Sequence, residues 1–548
     1  MEAAARLLDH ASGPPEILAL TDGQRFAWAS PEALAQWERL TQSRATGGTP
    51  VPPLWAVNVV PDQPTTAGSP VLLPITVDHP VTTADAAVTL HTGLRGIRST
   101  DPPPRVRLEI DGRVAGDIPL PPSLGPGTEI PLRVTRRFPP GPHLITLRLD
   151  PEMRASVGRQ EYAIDVEPVI PVLIVDGETQ PDIGPFGSEF LRTTLAPVRG
   201  PAAAFVVRMM GVTDFTPAAL TQDVTTPGTA PWVVILSDVK AITPEQAAAV
   251  EDFVANGGGV LVAAGERTNP VAWNRTAFRD GSGWLPARLV KVQRAGPASA
   301  APTIPAAFDF PVGQAIRENR ASATSTISLP IYWKLDLTTA VPPSVVRGVL
   351  SNRDPLLVEK PTGRGLVVLS AIPFDDGWGA NLTRASEGAR LIRELGYHLA
   401  STRWPAANLE AGAPIVFRPR NHEPPRPITL LGPDGTSRAV PVGAWPAVID
   451  TTPGPGAYRV TTAGGQARWF TVREDSRESD LTPIDEADRE ALSQTIGPVG
   501  YVTTVDDLRK QQGRVPVPWE IGGWFFAAIL AILVAEIWYT RRWYGGFR

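Results

Sequence analysis

WVVILSDVKAITPEQAAAVEDFVANGGGVLVAAG, residues Trp232–Gly265, decides how most of this chain is read. Its two ends, WVVILSD (Trp232–Asp238) and VLVAAG (Val260–Gly265), are continuous apolar runs, the pattern of strands buried on both faces of a parallel sheet. Between them the residues predict a helix over Thr243–Asn256. Thr243 can cap it, Pro244 suits its first turn, Gln246 completes a capping box, and Asn256-Gly257 ends it. Strand, helix and strand in that order form a parallel crossover unit.

The same grammar extends outward. PVLIVDG (Pro171–Gly177), AFVVRMM (Ala204–Met210) and GLVVLSA (Gly365–Ala371) are further buried-type runs, with helical segments between most of them. The expectation is a flavodoxin-like, doubly wound α/β domain over residues 169–403, with an insertion at about 284–345. Acidic residues near the strand ends, Asp176, Glu178, Asp375 and Asp376, stand where ligands bind in such sheets, and they are also ordinary loop residues.

Upstream, short strand-like runs alternate with turn signals: Val71–Val77, Arg105–Ile110, Pro131–Phe138, His143–Leu149 and Glu161–Val166. Val106, Leu108 and Ile110 alternate with polar residues, and Asp111-Gly112 makes a hairpin turn. These predict an immunoglobulin-like β-sandwich over residues 54–167. Downstream, Asp434-Gly435 and Gly464-Gly465 turns between apolar runs predict a small β domain at 408–473, followed by a charged connector at 474–518 with a helix near Asp485–Thr495.

The C-terminus carries a different signal. IGGWFFAAILAILVAEI (Ile521–Ile537) is apolar except for Glu536, and residues 519–539 would span roughly 31 Å as a helix, enough for one membrane crossing. Trp519, Trp524, Trp538, Tyr539, Trp543 and Tyr544 cluster at its ends, where aromatic rings favour the headgroup region. A transmembrane helix over 519–540 is expected, with Glu536 able to reach the interface beside Arg541 and Arg542. Those arginines lean the C-terminus toward the cytoplasm. The N-terminus shows no basic region followed by an apolar one, so either the domains are cytosolic or an upstream segment precedes Met1.

Composition excludes several classes. With 548 residues the chain is long enough for several cores. Its 51 basic and 56 acidic side chains give a formal charge of -5 with no basic stripe, which argues against nucleic-acid binding. The 49 glycines and 60 prolines, about a fifth of the chain against a usual ~12%, suit turn-rich β structure. The absence of cysteine removes thiol nucleophiles and thiolate metal sites together.

Two resemblances follow from these residues. FVANGGGVLVAAGERTNP (Phe253–Pro270) resembles the helix, glycine turn and strand that lead to the nucleophile in class I glutamine amidotransferase-like domains. In that family a cysteine follows the strand, whereas Ala264-Gly265-Glu266-Arg267 stands here. Of the six histidines, His10, His79, His91, His143, His398 and His422, only His398 falls in this domain, on a helix with Leu395 and Leu399. A retained fold without amidotransferase chemistry is implied. Near the N-terminus, Glu16–Leu20 followed by Thr21-Asp22-Gly23 and a helix from Pro31 to about Gln42 resembles the later part of a von Willebrand A domain over residues 1–45. That family holds Mg²⁺ through several oxygens, and Asp22 alone cannot supply them.

The order of segments, with LVEKPTGRGLVVLSAIPFDDGW (Leu357–Trp378) and RESDLTPID around Asp480–Pro483, resembles bacterial membrane proteins of the aerotolerance-regulator (BatA-like) group. The resemblance implies two upstream membrane helices, an inner-membrane location and extracytoplasmic domains. The whole reads as a multidomain α/β plus β chain. Its expected role is a membrane-anchored, non-catalytic envelope scaffold with protein partners and the membrane, and with no catalytic, cofactor or metal residue assigned. The alternative is a hydrolase or transferase using carboxylates of the α/β domain, for which Glu178, Glu266 and Asp375 would have to converge.

Overall fold

The computed structural model describes residues 17–46, 54–58, 71–95, 105–118, 129–150, 158–177, 188–197, 203–221, 230–295, 327–375, 386–473 and 484–502, apart from residues 85, 421–422 and 451. It also describes residues 120, 378, 382, 504 and 507 and a helical piece at 530–535. Two compact units result, one from residues 1–67 with 476–548 and the other from residues 68–475.

The first unit corrects two expected boundaries. Leu54–Asn58, assigned above to the β-sandwich, instead pairs in parallel with Ile17–Thr21 on one side and with Val499–Val502 on the other. It is the central strand of a three-stranded sheet, and LWAVN suits that place because it buries residues on both faces. The segment read as a connector at 474–518 contributes the second correction. Its helix Glu486–Ile496 starts in a capping box between Asp485 and Asp488, and Leu492 is fully buried among Trp28, Trp37 and Leu54. Arg25 reaches Asp488 at 3.1 Å. The N-terminal unit is therefore not confined to residues 1–45; its sheet is closed by chain that returns after residue 475. Helix Pro31–Thr46 lies where the sequence predicts one.

In the second unit, a four-stranded sheet (Val71–Leu72, Thr76–Val77, Val88–Arg95, Ile130–Arg136) and a five-stranded sheet (Val81–Thr83, Arg105–Ile110, Arg113–Ile118, Gly141–Asp150, Arg159–Glu167) share one apolar core. The sandwich thus begins near Val71 rather than Leu54. Residues 408–473 form a five-stranded sheet with a two-stranded companion, Ile415–Phe417 against Ala447–Ile449.

The strands of the α/β domain, numbered in chain order, are β1 (Ile170–Asp176), β2 (Phe205–Gly211), β3 (Val233–Ser237), β4 (Gly259–Ala263), β5 (Arg288–Arg294), β6 (Ile331–Asp336), β7 (Val345–Val349), β8 (Pro355–Thr362) and β9 (Gly365–Ser370). The main sheet runs β2-β1-β3-β4-β9-β8-β7. Its first five strands are parallel, and β8 and β7 extend it antiparallel. The parallel part has the 2-1-3-4-5 order of flavodoxin-like sheets, with the switch point between β1 and β3. Helix α1 (Glu189–Leu195), helix α2 (Pro244–Ala255) and helix α3 (Ser386–Ala400) flank it. Thr243 and Gln246 form the predicted capping box on α2. Helix α3 passes so close to β4 that a Cβ on Gly259 would lie 2.3 Å from the Leu399 carbonyl oxygen, so only glycine fits there. The inserted β5–β6 ribbon is not a loose appendage, because Trp284, Leu289 and Trp333 are buried in the main core.

Among the described residues no helix is long and apolar enough to cross a membrane. The span expected at 519–540 lies outside the described residues except at 530–535, where Leu530, Ile532, Leu533 and Val534 are exposed on a helical turn.

Candidate functional site

Of the two neighbouring strands at the switch point, β1 ends in Asp176 and β3 is followed at once by Asp238, and the chain crosses itself tightly beyond them. Asp176 closes β1 and is buried, its carboxylate accepting from the Ser188 backbone N–H at 3.3 Å. Asp238 follows β3 with a left-handed φ of 44°, a conformation aspartate tolerates better than most residues. Gly177 donates to the Ser237 carbonyl at 2.9 Å, and a Cβ there would fall 1.9 Å from the Asp238 carbonyl oxygen. The other side is as close, since a Cβ on Gly265 would lie 2.5 Å from the Asp238 carboxyl carbon. Both glycines are therefore required for the backbones to meet over Asp238.

Asp238 ties down the turn after β4, the position of the nucleophile in the amidotransferase resemblance. Its Oδ1 accepts from the Arg267 backbone N–H at 2.9 Å and from the Thr268 hydroxyl at 3.3 Å, while Oδ2 accepts from the Arg267 guanidinium at 3.1 Å. The Thr268 oxygen in turn accepts from the Gly265 N–H at 2.9 Å, and the Trp333 indole donates to the Gly265 carbonyl at 2.9 Å. Trp273 completes the anchoring by donating to the Val239 carbonyl at 2.9 Å. Burial pushes the Asp238 carboxyl up to about 6 against the opposing Arg267 contacts, and the nearby Asp375 charge adds to the rise.

The residues weighed from sequence are distributed unevenly around this centre. Asp375 lies within electrostatic reach of Asp238 and is half-buried. Glu266 sits on the anchored turn and is exposed. Glu178 and Asp376 fall outside the described residues, so the convergence of Glu178, Glu266 and Asp375 reduces to one exposed and one half-buried carboxylate. Asp22 lies in the first unit, where its Oδ1 accepts from the Gln24 N–H at 3.4 Å. Among the described residues no group of three or more His, Asp or Glu side chains is placed to hold a metal ion.

His398 belongs to a different cluster. Its Nε2 lies 2.7 Å from Glu359 on β8, and Arg347 on β7 donates to the other oxygen of that carboxylate at 2.8 Å. Burial opposes ionisation of Glu359, but the His398 and Arg347 contacts outweigh it and hold the carboxyl down at about 2. The adjacent Lys360 is buried with its ammonium donating to the Gly281 and Gly283 carbonyls at 2.9 and 2.6 Å. These groups pin the antiparallel edge of the sheet to helix α3 and to the 281–283 turn.

Sequence reasoning missed Asp238, Arg267 and Thr268 as a set. A signal was present, because the buried runs before Gly177 and Val239 both end in aspartate at the strands that later prove adjacent. Arg267 and Thr268 carried no such mark, since only the crossing of the two loops brings them to Asp238.

No family model and no curated protein matches the chain. Solved structures similar to parts of it include a cytoplasmic protein from Salmonella typhimurium LT2, 16% identical, covering 42% of this chain and 99% of that one at a TM-score of 0.31. Another is a putative ThuA-like protein from Bacteroides uniformis, 12% identical, covering 42% and 91% at a TM-score of 0.26. A third is the CARDB domain of a Pyrococcus furiosus protein, 20% identical, covering 18% and 94% at a TM-score of 0.16. Scores this low assign neither a fold nor an activity, and the α/β architecture rests on the strand order itself.

Proposed function

We propose that this chain is a membrane-anchored, non-catalytic scaffold of the bacterial envelope, of the aerotolerance-regulator (BatA-like) group, whose domains bind protein partners. The observation that carries the reading is the turn after β4. Where an amidotransferase-like enzyme would present a nucleophile, Gly265, Arg267 and Thr268 are consumed in hydrogen bonds to Asp238 and Trp333. The Thr268 hydroxyl beside the Asp238 carboxylate is buried and also accepts from the Gly265 N–H, so the contact holds the loop in place rather than presenting a nucleophile. The apolar stretch near the C-terminus supplies the anchor, with residues 541–548 in the cytoplasm and the domains on the outer side of the inner membrane.

The full chain, purified in detergent, is expected to release no ammonia from glutamine above blank. Turnover that disappears in Glu266→Ala would refute the non-catalytic reading. Protease added to intact spheroplasts is expected to digest the domains while a tag after Arg548 stays protected. Full protection of the domains would overturn the topology.

A second reading, a hydrolase or transferase working through carboxylates, is favoured by one observation, the Asp238 carboxyl pushed up to about 6 beside Asp375. Ester or amide hydrolysis by the full chain that is lost in Asp375→Asn while the fold persists would select it over the scaffold.

A further inference from the structure

Where the sandwich, the exit of helix α3 and the small β domain meet, within the unit of residues 68–475, the structure holds a cavity of about 340 Å³. That is the lower end of the ~300–1,000 Å³ typical of small-molecule sites. Its apolar wall combines Trp404, Phe417 and Val166 with prolines of the sandwich. Its polar wall is cationic, formed by Arg418, Arg420 and Arg468.

Two of these arginines are already compensated. Arg468 contacts Asp165 at 2.7 Å, and Arg420 bonds both Asp165 and Glu167 while stacking 5.3 Å from the Trp404 ring centroid. Trp404 is itself fixed by donating to Glu167 at 3.1 Å. Arg418 is different. Among the described residues it is paired with no carboxylate, and its guanidinium reaches a single acceptor, the Asn256 carbonyl, at 3.4 Å. Around it stand two more cations. Arg364 bonds the same carbonyl at 3.0 Å, and Arg403 lies 5.9 Å from the rings of both Trp232 and Trp404 with its buried Nε lacking a hydrogen-bond partner. Positive charge thus exceeds negative charge beside the cavity, with the half-buried Arg418 still open to an incoming anion. The guanidinium of Arg418 is pushed down first by burial and then by Arg364, and that of Arg403 to about 10 by burial and then by Arg418 and Arg364, with Glu167 opposing the last shift in part.

We propose that this cavity binds a small organic carboxylate with an apolar or aromatic body, the body lying on Trp404 and Phe417 and the carboxylate on Arg418. Arg418 is the element that selects for charge, because its planar fork matches a carboxylate and holds only the long bond to the Asn256 carbonyl among the described residues. The ligand would touch the sandwich, the α3 exit and the small β domain at once, so binding is expected to stiffen their junction. This site is separate from the Asp238 turn and does not depend on the scaffold reading.

The test uses the full chain and three probes: naphthalene-2-carboxylate, its neutral analogue 2-naphthylmethanol, and inorganic phosphate. Calorimetric titration and thermal melting are expected to show binding and a raised melting temperature with the carboxylate alone. Arg418→Ala is expected to weaken that binding roughly tenfold or more, as loss of a charged hydrogen-bond donor does. Arg418→Lys, which keeps the charge but not the fork, is expected to fall between the two. The melting temperature without ligand reports whether each variant folds. No binding of the carboxylate, equal binding of the alcohol or phosphate, or undiminished binding by both folded variants would overturn the assignment.

Discussion

Asp238→Asn tests the centre of the α/β domain most directly. The substitution keeps the shape and one acceptor oxygen but removes the ability to ionise. In the folded protein the Asp238 carboxyl is pushed from 3.8 up to about 6. A raised value means that the fold favours the protonated form, so this group's contribution to stability is complete below pH about 4 and lost as pH rises through about 6. A shift of about two units corresponds to roughly 3 kcal/mol, an upper figure because the carboxylate keeps its Arg267 partner. Asparagine cannot undergo the loss. At pH about 4 the wild-type carboxyl is protonated and makes no ion pair with Arg267, so the variant should match the wild type; the half-exposed pair that forms above pH about 6 is worth little and trims the variant's gain only slightly. As pH rises to about 7.5 the difference should move in the variant's favour by up to about 3 kcal/mol, or roughly 6–12 °C in the melting of a domain of this size. Scanning calorimetry of the full chain across that pH range reads the effect, and hydrogen exchange of peptides spanning 263–270 assigns it to the anchored turn. A difference that stays flat or moves against the variant with rising pH would show that the carboxyl is not held up by burial.

Two further outcomes test other parts of the fold. Glu359→Gln should destabilise the full chain by about 2 kcal/mol at neutral pH, because it removes a buried carboxylate from its charged hydrogen bonds to the half-buried Arg347 and His398. Since the folded value of Glu359 is lowered to about 2, its contribution is present above pH about 4.5 and lost as pH falls through about 2. The gap in melting temperature between wild type and variant should therefore narrow from pH about 7 to about 3.5, and a constant gap would count against the ion cluster. Residues 1–50 expressed alone should show no cooperative thermal transition. They lack the central strand Leu54–Asn58 and the buried Leu492 that fills the space beside Trp28 and Trp37. A cooperative melt of that fragment would contradict the shared sheet.

Much of the α/β domain was legible in the sequence because its determinants are local. Runs such as Val233–Ser237 and Gly259–Ala263 are apolar at every position since both faces are covered, and Thr243 and Gln246 mark the start of α2 within four residues. The absence of cysteine likewise settled from composition that no thiol stands at the turn after β4. What lay beyond the sequence depends on pairings between distant segments. Leu54–Asn58 looks like one more sandwich strand until Ile17–Thr21 and Val499–Val502 take its two edges, and parallel pairing across such a separation leaves no local sign. Asp238 became a structural clamp only where two loops cross at Gly177 and Gly265, closely enough that no side chain fits. The arginine-lined cavity has the same origin: Val166, Trp404, Arg418 and Arg468 come from separate stretches, and packing alone decides which guanidinium finds a carboxylate and which is left facing a carbonyl.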